Sequence, residues 1–167
     1  MSIREDRSTT FPLRAAMEAR DLAAVVDAFA PGAVLRSPFT GKLVFQGREQ
    51  IAAVSAVVLD VFDDFRYTDE LCSGDTAFLV ARARIDGEDI EMVDHLRLGP
   101  DGKILEMTVF FRPLPASAVA LRMIGAGLVR QKSPLTATVI SVLARPLGFM
   151  AKSGDGLGVR LVRSAVS

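Results

Sequence analysis

The sequence predicts an α+β fold, and two observations carry that prediction. Apolar residues recur at helical spacing before Phe62, then alternate with polar ones in successive runs from Phe65 to Arg112. The later runs are separated by turn signals, Asp86-Gly87 and Gly99-Pro100-Asp101-Gly102. Helices first and an antiparallel meander afterwards place the helices on one face of a mostly antiparallel sheet.

Taken in order, Phe11 to Phe29 reads as one amphipathic helix. Leu13, Met17, Leu22, Val25, Val26 and Phe29 share a stripe, with Arg14, Glu18, Asp21 and Asp27 off it. Ala30-Pro31-Gly32 stops it. Ala33 to Ser37 and Leu43 to Phe45 read as short strands, with a turn at Ser37-Pro38, and Gly47 precedes a second helix, Arg48 to Phe62. Four strands follow: Phe65 to Cys72, Thr76 to Ile85, Glu88 to Leu98 and Lys103 to Arg112. Pro113 and Pro115 close this region. Ala116 to Gln131 and Leu135 to Ala144 then read as helices bounded by Pro134 and Pro146, and Val159 to Val162 as a short strand or ordered end.

The hairpins set a register. Asp86-Gly87 puts Ile85 opposite Glu88, Arg84 opposite Asp89 and Arg82 opposite Glu91, with Ala83 and Ala81 facing Ile90 and Met92. Both opposite-charge pairs land on one face and the apolar residues on the other, a pattern that a one-residue slip would destroy. For the next hairpin, Leu98 opposite Lys103 continues as Leu96 with Leu105, Asp94 with Met107 and Met92 with Val109. The inner face is then apolar except for one carboxylate, Asp94.

Charge and cysteine content bound the setting. The 20 basic and 20 acidic side chains balance overall, but residues 1–112 carry 13 basic and 19 acidic groups against 7 and 1 in 113–167. One cysteine, Cys72, rules out an intramolecular disulfide and fits a reducing compartment as a small apolar residue. The opening residues lack the apolar core of a secretory signal, and no apolar run in the tail reaches the roughly 20 residues that span a bilayer. A cytoplasmic location is expected. With a single histidine, a His/Cys metal site is not expected; Gly154, Gly156 and Gly158 lack the lysine of a phosphate loop; scattered arginines give no nucleic-acid surface.

The sequence Val93-Asp94-His95-Leu96-Arg97-Leu98, then Asp101-Gly102-Lys103-Ile104, then Val109-Phe110-Phe111-Arg112 resembles the nuclear transport factor 2-like superfamily. The nearer likeness is to SnoaL-like proteins and ketosteroid isomerases. Its opening, AMEARDLAAVVDAFAPGAVLRSP, resembles the same superfamily. The likeness, which covers about residues 10–113, implies a cone-shaped fold over residues 1–113; charge and apolar spacing set 114–167 apart as a basic, apolar C-terminal helical extension packed on the domain or at an interface. It also implies that Asp94 corresponds to the aspartic acid of the isomerases' oxyanion hole, a carboxyl kept protonated by an apolar site. Leu13 stands where those enzymes place a tyrosine, and Ser37 where they place the aspartate base. Leucine donates nothing, and an unassisted serine does not take a proton from carbon, so standard steroid isomerase chemistry is not expected.

Asp94 is therefore the candidate catalytic residue, with a raised pKa expected from its surroundings; the alternative is a structural carboxyl satisfied by a neighbouring group. Leu13, Met17, Ser37, Tyr67, Met92, Leu96, Met107, Val109 and Phe111 are the candidate ligand-binding residues, with Tyr67 aiming its hydroxyl inward. Thr40 and Gln46 are further polar residues within expected reach. His95 points to the outer face, opposite Glu106. Two functions follow from different classes. One is a cofactor-free isomerase or cyclase binding a hydrophobic, oxygen-bearing small molecule; no second inner carboxylate supports an epoxide hydrolase. The other is a non-catalytic carrier or interaction protein, a homodimer through the outer sheet face. For the tail, apolar Leu121, Ile124, Leu128, Leu135, Val139, Val142 and Leu143 among Arg122, Arg130, Lys132 and Arg145 suit either an internal contact or an anionic membrane surface.

Overall fold

The computed structural model describes residues 11–130. The chain divides into two compact units, Met1–Phe111 and Arg112–Ser167. In the first, helices α1 (Phe11–Glu18) and α2 (Leu22–Asp27) precede strands β1 (Phe29–Arg36) and β2 (Val44–Gln46), and α3 (Gly47–Val61) leads into β3 (Asp63–Ser73), β4 (Thr76–Ile85), β5 (Glu88–Leu98) and β6 (Ile104–Arg112). The six strands form one curved sheet in the order β2-β1-β6-β5-β4-β3, with β1 and β6 parallel and the remainder antiparallel. The α+β reading holds.

The first helix is two helices, not one. Arg20 adopts φ 57°, and its N–H donates to Met17 O at 3.1 Å while Asp21 N–H reaches back to Ala16 O at 2.9 Å. These are the paired bonds of a Schellman end, built here around an arginine rather than a glycine. Asp21 then caps α2, its Oδ1 accepting the Ala24 N–H at 3.0 Å. The Arg20 guanidinium donates to Phe62 O at 3.1 Å and to Leu59 O, so it also satisfies carbonyls at the C-terminus of α3. Phe29 belongs to β1, and the Ala30-Pro31-Gly32 stretch falls where that strand shifts register against β6, between Phe29 and Val34.

The β4–β5 hairpin has the expected pairing from Ile85↔Glu88 to Ala81↔Met92. Asp86 and Gly87 both take positive φ, 51° and 81°, as a two-residue primed turn requires. The two charge pairs close on the outer face, Arg82–Glu91 at 3.0 Å and Arg84–Asp89 at 3.7 Å. The next turn differs from expectation. Gly99 N–H donates to Lys103 O at 2.8 Å and Gly102 N–H to Gly99 O at 2.9 Å, with Gly102 at φ 78°. Gly99 rather than Leu98 therefore faces Lys103, across a three-residue loop. Strict alternation also fails in β6: Ile104 and Met107 are both buried, and Leu105, expected inside opposite Leu96, is 46% exposed. Lys103 donates from Nζ to Asp27 O at 2.7 Å and pairs with its carboxylate, pinning this hairpin to the end of α2.

The core holds Leu13 and Met17 of α1, Val25 of α2, Ile51, Val54 and Val57 of α3, and the inward residues of β3 to β6. In the second unit, α4 (Leu114–Arg130) buries Ala116, Val119, Ala120 and Ile124, while Leu121 is exposed and so lies off the stripe expected for it. Leu135, Val139, Val142, Leu143, Lys132, Arg145 and the glycines at 154, 156 and 158 lie outside the described residues. No described helix is long and apolar enough to cross a membrane.

Candidate functional site

Strand parity builds the site. On β5, Met92, Asp94 and Leu96 face inward against Ala81, Leu79 and Ala77 of β4, all buried. Asp94 is 3% exposed. On the far side of β4, Tyr67 of β3 pairs with Ala81 and is equally buried. The Tyr67 hydroxyl donates to Asp94 Oδ2 at 2.9 Å, joining two strands that are not neighbours. Register shifts on both sides of Arg66 and Tyr67 bend β3 at this point, which is how an edge strand re-aims a side chain. Phe65 packs edge-on against the Tyr67 ring, centroids 5.1 Å apart.

Electrostatics follow from burial. Loss of water around the Asp94 carboxyl pushes it up to about 7, although the Tyr67 hydrogen bond pulls the other way. The Tyr67 phenol is raised well above its ordinary value, first by burial and then by the neighbouring Asp94 charge. The pair thus holds a carboxyl able to give or take a proton near neutral pH, beside a phenol that stays protonated.

The other expected residues divide. Leu13, Met17, Met92, Leu96, Met107 and Val109 are all buried on the inner side. Phe111 joins an aromatic group with Phe39 and Phe62, at centroid distances of 5.5 and 6.0 Å. Ser37 is committed to its turn, its Oγ accepting the Phe39 N–H at 3.2 Å. Thr40 and Gln46 are exposed and do not reach inward; the Thr40 hydroxyl accepts the Lys42 N–H in a local turn. Cys72 is half-buried. His95 faces outward as expected, but it stacks on Phe78, with centroids 4.5 Å apart and planes at 6°. The carboxylate of Glu106 goes to Arg36 instead, at 2.7 Å. Among the described residues, no group of His, Cys, Asp or Glu is arranged to hold a metal ion.

Arg14 and Glu18 are invisible as site residues in the sequence, where they are simply polar residues off the apolar stripe. They pair at 3.4 Å on α1 and bind the Tyr67 main chain, Arg14 at its carbonyl (3.0 Å) and Glu18 at its N–H (2.9 Å). Opposite charges four residues apart are visible; their target on β3 is not.

Residues 13–107 match the sequence profile of the SnoaL-like domain. The chain belongs to that family. Among solved structures, this SnoaL-like chain is similar to an uncharacterised protein of cystatin-like fold from Silicibacter pomeroyi, with 20% identity, a TM-score of 0.73, and coverage of 82% of this chain and 96% of the other. It is also similar to a steroid delta-isomerase from Pseudomonas aeruginosa, at 26% identity and a TM-score of 0.65, covering 81% and 99%. A protein of ketosteroid isomerase-like fold from Catenulispora acidiphila, in complex with trimethylamine, matches at 18% identity and a TM-score of 0.56 over 68% and 92%. No curated protein matches the sequence. The family assignment and the fold thus agree with the resemblance read from the β5–β6 motif.

Proposed function

We propose that this SnoaL-like domain binds a hydrophobic, oxygen-bearing small molecule on the inner face of its sheet and moves a proton at one of that molecule's oxygens. The observation that carries this reading is the buried Tyr67–Asp94 pair, 2.9 Å from oxygen to oxygen among apolar side chains. With Tyr67 donating to its Oδ2, a neutral Asp94 offers the O–H of its other oxygen to a ligand, a buried donor aimed at charge building on a ligand oxygen. Tyr67, reaching in from β3, backs that acid through its own hydrogen bond and does not replace the ligand donor that Leu13 lacks. Asp94 gives its proton to the ligand oxygen as the carbon skeleton rearranges, and its carboxylate takes that proton back from the same oxygen as the product forms. Isomerisation or cyclisation of this kind needs no cofactor. Leu13, Met17, Met92, Leu96, Met107, Val109 and Phe111 form the apolar wall of the binding site, with Ser37 at its margin. The similarity to a steroid delta-isomerase supports including flat, fused-ring ligands among the candidates.

The test is a thermal-shift screen of steroids, aromatic polyketides and fatty acyl compounds on wild type and Asp94→Asn. A ligand at a hundred times its Kd stabilises the fold by about 2.7 kcal/mol, which in a chain of this size raises Tm by about 5 °C or more. The expected result is a wild-type hit whose shift shrinks in Asp94→Asn. A hit that is indifferent to the substitution removes Asp94 from the function.

A second reading, a non-catalytic carrier or interaction protein, draws on Leu13 and Ser37, since neither offers the base that carbon-acid chemistry needs. For either reading we infer a second copy of the chain as partner on the outer sheet face. There Leu71, Phe78 and Phe110 are exposed, the latter two on strands whose opposite faces are largely buried.

A further inference from the structure

β3 is an edge strand, and at Tyr67 its ladder is irregular. The pairing with β4 shifts between Asp63 and Arg66 and again between Tyr67 and Asp69. In an antiparallel pair, every second residue of an edge strand points its N–H and C=O away from the sheet. At Tyr67 those two groups are not left to water. Glu18 Oε1 accepts the N–H at 2.9 Å, Arg14 Nη2 donates to the carbonyl at 3.0 Å, and the two side chains pair with each other at 3.4 Å one helical turn apart on α1.

We propose that Arg14 and Glu18 are positioning residues that fix the Tyr67 hydroxyl on Asp94 by gripping the two peptide groups flanking the tyrosine. The inference rests on the Tyr67–Asp94 pair being the functional centre, and deepens that reading by naming what aims it. A bulged edge strand does not by itself determine where its backbone lies, whereas a hydrogen bond of 2.9 Å tolerates displacements of only a few tenths of an ångström. An ion pair about one-third exposed adds little stability; its consequence is geometric. The charged groups that act on Tyr67 are Asp94 from β5 and the Glu18–Arg14 pair from α1, and the latter two push the phenol in opposite directions. As a pair they hold the backbone while acting on the hydroxyl with opposite signs.

The experiment follows the Asp94 carboxyl by carbon-13 NMR titration of the full chain. The Tyr67 hydrogen bond holds Asp94 down, so Tyr67→Phe raises its midpoint above the wild-type value near 7. Glu18→Ala is expected to raise it as well, by at least half as much, and the combined Glu18→Ala/Tyr67→Phe variant to go no higher than Tyr67→Phe. Glu18→Gln, which keeps an acceptor for the Tyr67 N–H, holds the wild-type midpoint. If Glu18→Ala leaves Asp94 unmoved while Tyr67→Phe shifts it, the positioning role is overturned and the clamp is only structural. If Tyr67→Phe itself leaves Asp94 unmoved, the role of the pair fails first, and the clamp's role with it. Should Glu18→Ala not fold, Arg14→Met decides the same question: it frees the Tyr67 carbonyl, and an unmoved midpoint overturns the proposal.

Discussion

A carboxyl that is 3% exposed and has one hydrogen-bonding hydroxyl for company faces a choice between charge and burial. Burial wins over the Tyr67 hydrogen bond, and Asp94 rises from 3.8 to about 7. The sign for stability follows. Between those values the unfolded chain has lost the proton and the folded chain has kept it, so stability falls as pH rises through that window. At 1.36 kcal/mol per pH unit, the gap of about three units is a penalty of about 4 kcal/mol, complete above pH 7. Asp27 and Glu106, whose pKa values are lowered by Lys103 and Arg36, act in the opposite sense but only at and below the ordinary carboxylate range. Urea unfolding at pH 5 and pH 8 should therefore show wild type losing stability toward pH 8, with Asp94→Asn nearly flat and the more stable protein at pH 8. Equal slopes for the two proteins would show that Asp94 does not titrate in this window. At this scale the sequence is informative wherever strand parity decides direction: it puts Asp94 and Tyr67 inside and His95 outside. It is silent on Arg14 and Glu18, because their partner lies 53 and 49 residues away and only the fold brings it near.

Among the elements, local chemistry is legible and exceptions to it are not. Asp86-Gly87 specifies its turn and thereby ten paired residues on each strand. Gly99-Pro100-Asp101-Gly102 announces a turn but not its length, since Gly102 suits either a two- or a three-residue loop, and the pairing beyond it slips. Leu105 goes to the outer face for the same kind of reason: a strand whose alternation breaks cannot be read by alternation. The division between α1 and α2 is hidden because its left-handed residue is Arg20, where glycine would have marked it. Holding arginine there costs about 1 kcal/mol, and the guanidinium offsets this by capping α3 at Leu59 and Phe62. Two substitutions separate these effects. Arg20→Ala keeps the backbone cost and loses the caps, so we expect a loss of about 2 kcal/mol in urea unfolding. Arg20→Gly loses the caps but relieves the backbone, and should cost about 1 kcal/mol. Alanine proving no worse than glycine would rule out strain at this position.

For the first unit as a whole, the fold is readable because a short motif on β5 and β6, together with the consistent register of the β4–β5 hairpin, specifies most of a sheet; the activity is not, because this architecture hosts many chemistries and the distinguishing groups are few. The outer face of that sheet is a separate matter of surface chemistry. Leu71 pairs with Phe78 and Phe78 with His95, so one row across β3, β4 and β5 presents a leucine, a phenylalanine and an imidazole stacked on it. Phe110 is 55% exposed on the same side, and the ion pairs Arg82–Glu91, Arg84–Asp89 and Arg36–Glu106 belong to the outer strand faces around it. Apolar residues within a rim of paired charges match the anatomy of a protein interface, and a stable one needs about 800 Å² from each partner. A second copy related by a two-fold axis can offer the same row in return. Sedimentation velocity at micromolar concentration should give twice the chain mass for wild type. Phe110→Glu, which puts an unpaired charge into this apolar patch while leaving the inner face intact, should return the single-chain mass with an unchanged circular dichroism spectrum. A wild type that sediments as a single chain would mean that this face serves no self-association. In that case a preference of the protein for anionic liposomes over neutral ones would redirect attention to the basic C-terminal residues.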